Sequence, residues 1–218
     1  SLSVLGGLSL VACIGWFLHN QSMIRLMFDS SGLNPVASIL FAVATIALVI
    51  LRKQRWHLVA QFCGLIIAFI AGLQLLGAAG VLPFTVDLGF FQSEVLAVSA
   101  TYPSRISLFG AFTFLALGLG LFLAGLPSFK KRVDVLMFFA GVVGSLGIMA
   151  ALTQFLQLDK TFTLPFIYSL SLGTSLLFIV CGFVWMQILQ EQNRLGGSLR
   201  ITFAAFKWPL LETLPVIV

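Results

Sequence analysis

Apolar residues run in long blocks along this chain, broken by short clusters of polar and charged residues. Each block approaches the roughly 20 residues that a helix needs to cross a hydrocarbon core about 30 Å thick. The blocks predict spans over residues 2–18, 35–51, 58–82, 106–126, 133–157 and 164–189. Helices are expected for all six, because backbone in lipid must satisfy its own hydrogen bonds and no block shows the period-two alternation of a barrel strand. The first block has no basic segment before it and no small-residue cleavage site after Trp16, Phe17, Leu18 and His19, so it reads as a span rather than a leader.

Three of the blocks open alike. Residues 33–41 (LNPVASILF), 106–114 (ISLFGAFTF) and 170–178 (LSLGTSLLF) are versions of one nonapeptide, and such self-similarity indicates an architecture of repeated units. The predicted unit is a helical hairpin whose second helix begins with the nonapeptide. The units are 1–57, 58–132 and 133–189, followed by a polar linker at 190–200 and an apolar tail, 201–218, which is either a seventh span cut short or a helix lying in the interface. Pro35 suits a first helical turn. Small residues at Ala37-Ser38, Gly110-Ala111 and Thr174-Ser175 allow close backbone approach, and Phe41, Phe114 and Phe178 fall at one height as an aromatic layer. The fold class expected is an all-α integral membrane protein of three repeated transmembrane hairpins, with the long connection at 83–105 as an external cap.

Composition strengthens this reading: 60% of residues are hydrophobic and 9% charged, with a mean hydropathy of +1.10, against about 25% charged in soluble domains. The few charges then orient the chain. Arg52, Lys53 and Arg55, then Lys130, Lys131 and Arg132, then Arg194 and Arg200 fall in alternate connections, whereas the others hold Arg25, Arg105 and Lys160. The positive-inside rule puts the N-terminus, both basic loops and the 190–200 exit in the cytoplasm. Trp56 and Trp185 are expected near the inner interface and Trp16 near the outer one. The net charge of +5 points to anionic lipid rather than nucleic acid.

The nonapeptide also resembles a motif of the MASE-like membrane sensor regions at the input ends of bacterial histidine kinases and diguanylate cyclases. There, three hairpins have second helices opening with Met-x-Pro-x-Thr-Ala-Leu-x-Phe and continuing in Leu and Gly. Residues 33–41 follow that pattern with Ala37 for Thr and Ser38 for Ala. Tyr102-Pro103-Ser104-Arg105-Ile106-Ser107 is similar to the family's Pro-Gly-Arg-Met-Ser, Leu117-Gly118 follows as in the family, and Asp87-Leu88-Gly89-Phe90-Phe91-Gln92 resembles Asp-Leu-Gly-Ile-Asp-Gln without its second acid. The likeness extends over about residues 15–190. It implies a sensor or input domain of the bacterial inner membrane and leaves the output unspecified.

Candidate chemistry is sparse. His19 and His57 are the only histidines and are expected at opposite faces, and Cys13, Cys63 and Cys181 are dispersed without metal-ligand spacing. No Asp, Glu, Lys or Arg sits mid-span, where function usually places them. Neither catalysis nor a bound metal is expected, and no cofactor, although lipid, quinone or pigment fits the apolar grooves between hairpins. Uncharged polar residues remain: Gln74, Thr113, Thr153, Gln154, Gln157, Tyr168 and Thr174 line a cavity in the outer half of the bundle, or else bond between helices. Phe90, Phe91, Glu94 and Tyr102 would close that cavity from above, and Arg105, at the entry of the fourth span, belongs with it.

The function expected is a non-catalytic membrane sensor that passes a signal to a cytoplasmic output domain or partner. The rival readings are an accessory subunit of a larger integral membrane complex, energy-transducing or photosynthetic; a transporter, for which the sequence shows little midplane polarity; and a membrane enzyme or redox carrier, against which the lone histidines argue. Its partners would be the bilayer, the output, and other membrane subunits or a second copy.

Overall fold

The computed structural model describes residues 2–18, 34–53, 56–81, 106–129, 132–156 and 170–195. Among them it has six α-helices, one 3₁₀ turn and no strand. The helices are α1 (Leu2–Phe17), α2 (Pro35–Arg52), α3 (His57–Ala78), α4 (Leu108–Gly125), α5 (Val133–Phe155) and α6 (Leu172–Leu195), with the turn at Pro127–Phe129. All but α1 are long and apolar enough to cross a membrane. The 16 residues of α1 reach about 24 Å at 1.5 Å per residue, less than the hydrocarbon thickness. The connection at 83–105 and the tail lie outside the described residues, as do residues 196–200 of the expected linker, whereas residues 190–195, expected in that linker, continue α6.

Polar caps mark where α2, α4 and α6 begin. Asn34 Oδ1 accepts from the Val36 and Ala37 amides at 2.8 and 3.2 Å, with Pro35 in the first turn of α2, where its missing N–H costs nothing. Ser107 Oγ accepts from the Gly110 amide at 3.0 Å and Ser171 Oγ from the Thr174 amide at 3.2 Å. All three caps are the second residue of a nonapeptide. They satisfy amides that a helix start leaves without partners.

Two expected boundaries are thereby corrected. The sixth span was expected from residue 164, yet Leu170 and Ser171 are non-helical and α6 opens at Leu172. The third was expected to reach residue 82, but α3 ends at Ala78. Gly80, at φ +74°, donates to the Gly77 carbonyl while Val81 donates to Leu76, the paired closure of a left-handed helix end.

The helices pack as three pairs, α1 with α2, α3 with α4 and α5 with α6, and the approach of Gly64 to Phe122 and Gly125 to His57, and of Gly141 to Met186 and Gly147 to Ile179, makes the second and third pairs antiparallel. Each first member also touches the second member of another pair: α3 meets α2, α5 meets α4 and α1 meets α6. The second members run in one direction and form the centre. Positions seven-periodic about the phenylalanines carry its core: Phe41, Ala44, Leu48 and Leu51 on α2; Phe114, Leu117, Leu121 and Ala124 on α4; Phe178, Cys181, Trp185 and Ile188 on α6, all buried. This a/d spacing is what keeps one face of a helix on its neighbours over several turns.

Close approach within a pair comes from the residue four after each phenylalanine. A methyl group on Gly118 would run into the Ala68 backbone, and one on Gly64 into that of Phe122. On Gly182 it would lie 2.7 Å from the Gly144 nitrogen. The corresponding residue of α2 is Thr45, whose methyl group fills the space a side chain at Gly6 would need, at 3.1 Å. Backbone-to-backbone contact through small residues is the main attraction open to helices in lipid, where burying apolar surface gains little.

Candidate functional site: the convergent ends of α2, α4 and α6

The phenylalanines that end the three nonapeptides meet in one layer. Ring centroids are 4.9 Å apart for Phe41 and Phe114, 4.8 Å for Phe41 and Phe178, and 4.7 Å for Phe114 and Phe178. The planes are inclined at 59–61° to one another, so each ring presents an edge to a neighbour's face, the arrangement favoured by the ring quadrupole. All three are fully buried.

Above this layer lies a polar one whose hydroxyl groups are used locally. Ser38 donates to the Asn34 carbonyl at 3.0 Å, Thr113 to Phe109 at 2.8 Å and Ser175 to Ser171 at 3.2 Å. The hydroxyls of Ser171 and Thr174 are 2.8 Å apart. Below the phenylalanines the centre is closed by Ala44, Leu117 and Cys181, then by Leu48, Leu121 and Trp185. The arrangement can hold three helix ends in fixed register. It offers no nucleophile with an adjacent base, and among the described residues no group of three or more His, Cys, Asp or Glu comes together.

Of the residues expected to line a cavity, Gln74, Thr113 and Thr174 are buried and Gln154 half-buried. They share the nonapeptide end of the bundle. Thr113 bonds within its own helix, as does Thr153, to the Ala150 carbonyl at 2.8 Å, so these hydroxyls satisfy themselves locally rather than linking helices. Tyr102, Arg105, Gln157 and Tyr168, with Phe90, Phe91 and Glu94, lie outside the described residues, as does His19.

The tryptophans differ in burial. Trp56 is 75% exposed and sits at the basic end, as an interfacial ring should. Trp16 and Trp185, also expected at interfaces, are buried. The six-membered ring of Trp185 lies over Gly120 of α4 and beside Phe139 of α5, where any side chain at Gly120 would strike it. Hydropathy alone cannot separate a buried indole from an interfacial one; the a/d position of Trp185 is the signal that does.

A second group missed in the sequence lies at the opposite, basic end. Gln192 Nε2 donates to the Leu51 carbonyl at 2.6 Å, and Arg52 Nε stands 3.3 Å from Glu191 Oε2. The last turn of α6 is thus tied to the last turn of α2. No family model, curated protein or solved structure matches this chain.

Proposed function

We propose that this chain is a non-catalytic sensor or input domain of the bacterial inner membrane, with its N-terminus and the end of α6 in the cytoplasm. In this reading the three pairs are three transmembrane hairpins of one repeated unit, and α1 crosses with them. The support is the packed layer of Phe41, Phe114 and Phe178, because it ties the outer ends of all three second helices to one point. A stimulus that tilts or rotates one of them must then move the others, since packed interfaces shift between discrete arrangements rather than deform smoothly.

Filled core layers along the centre weigh against a transport path there, and lipid covers the exposed apolar side chains of α3 and α5, among them Phe62, Phe69, Phe138 and Phe155. Helix α6 carries the output, because its polar last turn leads into the linker. The test is to join residues 1–200 to a diguanylate cyclase output in a cell lacking its own, and to insert one to seven residues after Leu195. A sensor transmitting through α6 gives an output that rises and falls with a period of about 3.6 insertions. Output independent of insertion number, with the native chain co-purifying with unrelated membrane subunits, would instead identify an accessory subunit.

A further inference from the structure

The two bonds between α2 and α6 differ in kind. Gln192 is half-buried and its amide meets a carbonyl in the final turn of α2, where a helix leaves acceptors unused. A helical side chain points back toward its own N-terminus, so Gln192 reaches Leu51 although α6 continues about one turn beyond. The Arg52–Glu191 pair is more than half exposed on both sides, so water and salt weaken it. Elsewhere α2 and α6 are joined by apolar packing, Phe41 against Phe178 included. At this end the two polar bonds are added to the packing of the buried Leu51 and Ile188.

We propose that Gln192 and Glu191 form a releasable latch: closed, it couples the α6 exit to the end of α2, and open, it frees residues 190–195 to move independently. Its signalling consequence rests on the sensor reading above, whereas its existence does not. The latch fits a regulatory contact rather than a structural one. It ties two helices at the place where the chain leaves the bundle, and its bonds are weak enough to break without disturbing the core.

The test is amide hydrogen exchange on the protein in lipid nanodiscs. Gln192→Leu, which keeps the bulk and removes the donor, should speed exchange about five-fold at residues 190–195, the effect of losing one neutral hydrogen bond. It should also speed exchange at residues 50–53, because the two ends open together. Raising salt from about 0.05 to 1 M should speed exchange in the same two segments of the wild type by about two-fold, and leave Glu191→Gln unaffected. Unchanged exchange at residues 50–53 in Gln192→Leu overturns the latch. A second arm uses Arg52→Cys with Glu191→Cys in a background without Cys13, Cys63 and Cys181. In the cyclase fusion, the disulfide should fix output at one level and reductant should release it. Exchange as described with output indifferent to the disulfide leaves the latch standing and overturns the sensor reading; exchange that does not respond overturns the latch whatever the fusion does.

Discussion

At the residue scale, single glycines and phenylalanines decide the packing, and the contrasts between them are measurable. Gly118 is in backbone contact with α3, whereas Gly72 has no atom within 4 Å of where a side chain would begin. Gly118→Ala should therefore cost about 1–3 kcal/mol through overpacking. Gly72→Ala should be neutral or add up to about 1 kcal/mol by helix propensity. Thermal unfolding in detergent measures both, and equal effects would show that α3 and α4 are not in the contact described. The phenylalanine layer makes a sharper prediction. Each ring meets the other two, so either Phe41→Ala or Phe114→Ala removes two of the three ring pairs, and the double variant removes only the remaining one besides. The double variant should cost about 0.5–1.5 kcal/mol less than the sum of the singles, the worth of one aromatic pair. Strict additivity would mean that the rings do not touch.

At the element scale, the starts of α2, α4 and α6 are set by their caps. Asn34→Ala should destabilise by about 1 kcal/mol, and Asn34→Asp should recover most of it; equal stability of all three would remove Asn34 from the cap. This is also where sequence and structure part. The apolar blocks located the helices, and the position of Phe41, Phe114 and Phe178 within the nonapeptides anticipated their contact. The boundaries were less legible, because leucines and phenylalanines continue through a helix end without a break, and only Ser171 or Ala79-Gly80 mark it. Gly64 facing Gly118, and Gly144 facing Gly182, were not legible at all: they depend on how two helices slide past each other, which no periodicity within one helix records. Gln192 reaching Leu51 is of the same kind, a bond between residues on different helices that the chain order keeps far apart. Among the candidate site residues, Thr113 and Thr174 are buried, with their hydroxyls committed to local bonds.

At the scale of the whole molecule, the arrangement has two unlike ends. One gathers the caps of α2, α4 and α6 above a closed aromatic layer; the other carries Arg52, Lys53, Trp56, Arg132 and the α2–α6 latch. An account in which the three second helices enter from one face of the membrane and α6 leaves at the other stands or falls on those ends lying on opposite sides. The most direct measurement is labelling with a membrane-impermeant thiol reagent in a background without Cys13, Cys63 and Cys181, with one cysteine introduced at Ser104 or at Ser128. In intact cells Ser104→Cys should react from outside and Ser128→Cys, in the exposed turn before α5, only after the membrane is opened. Reaction of both from outside, or of neither until the membrane is opened, would contradict the account.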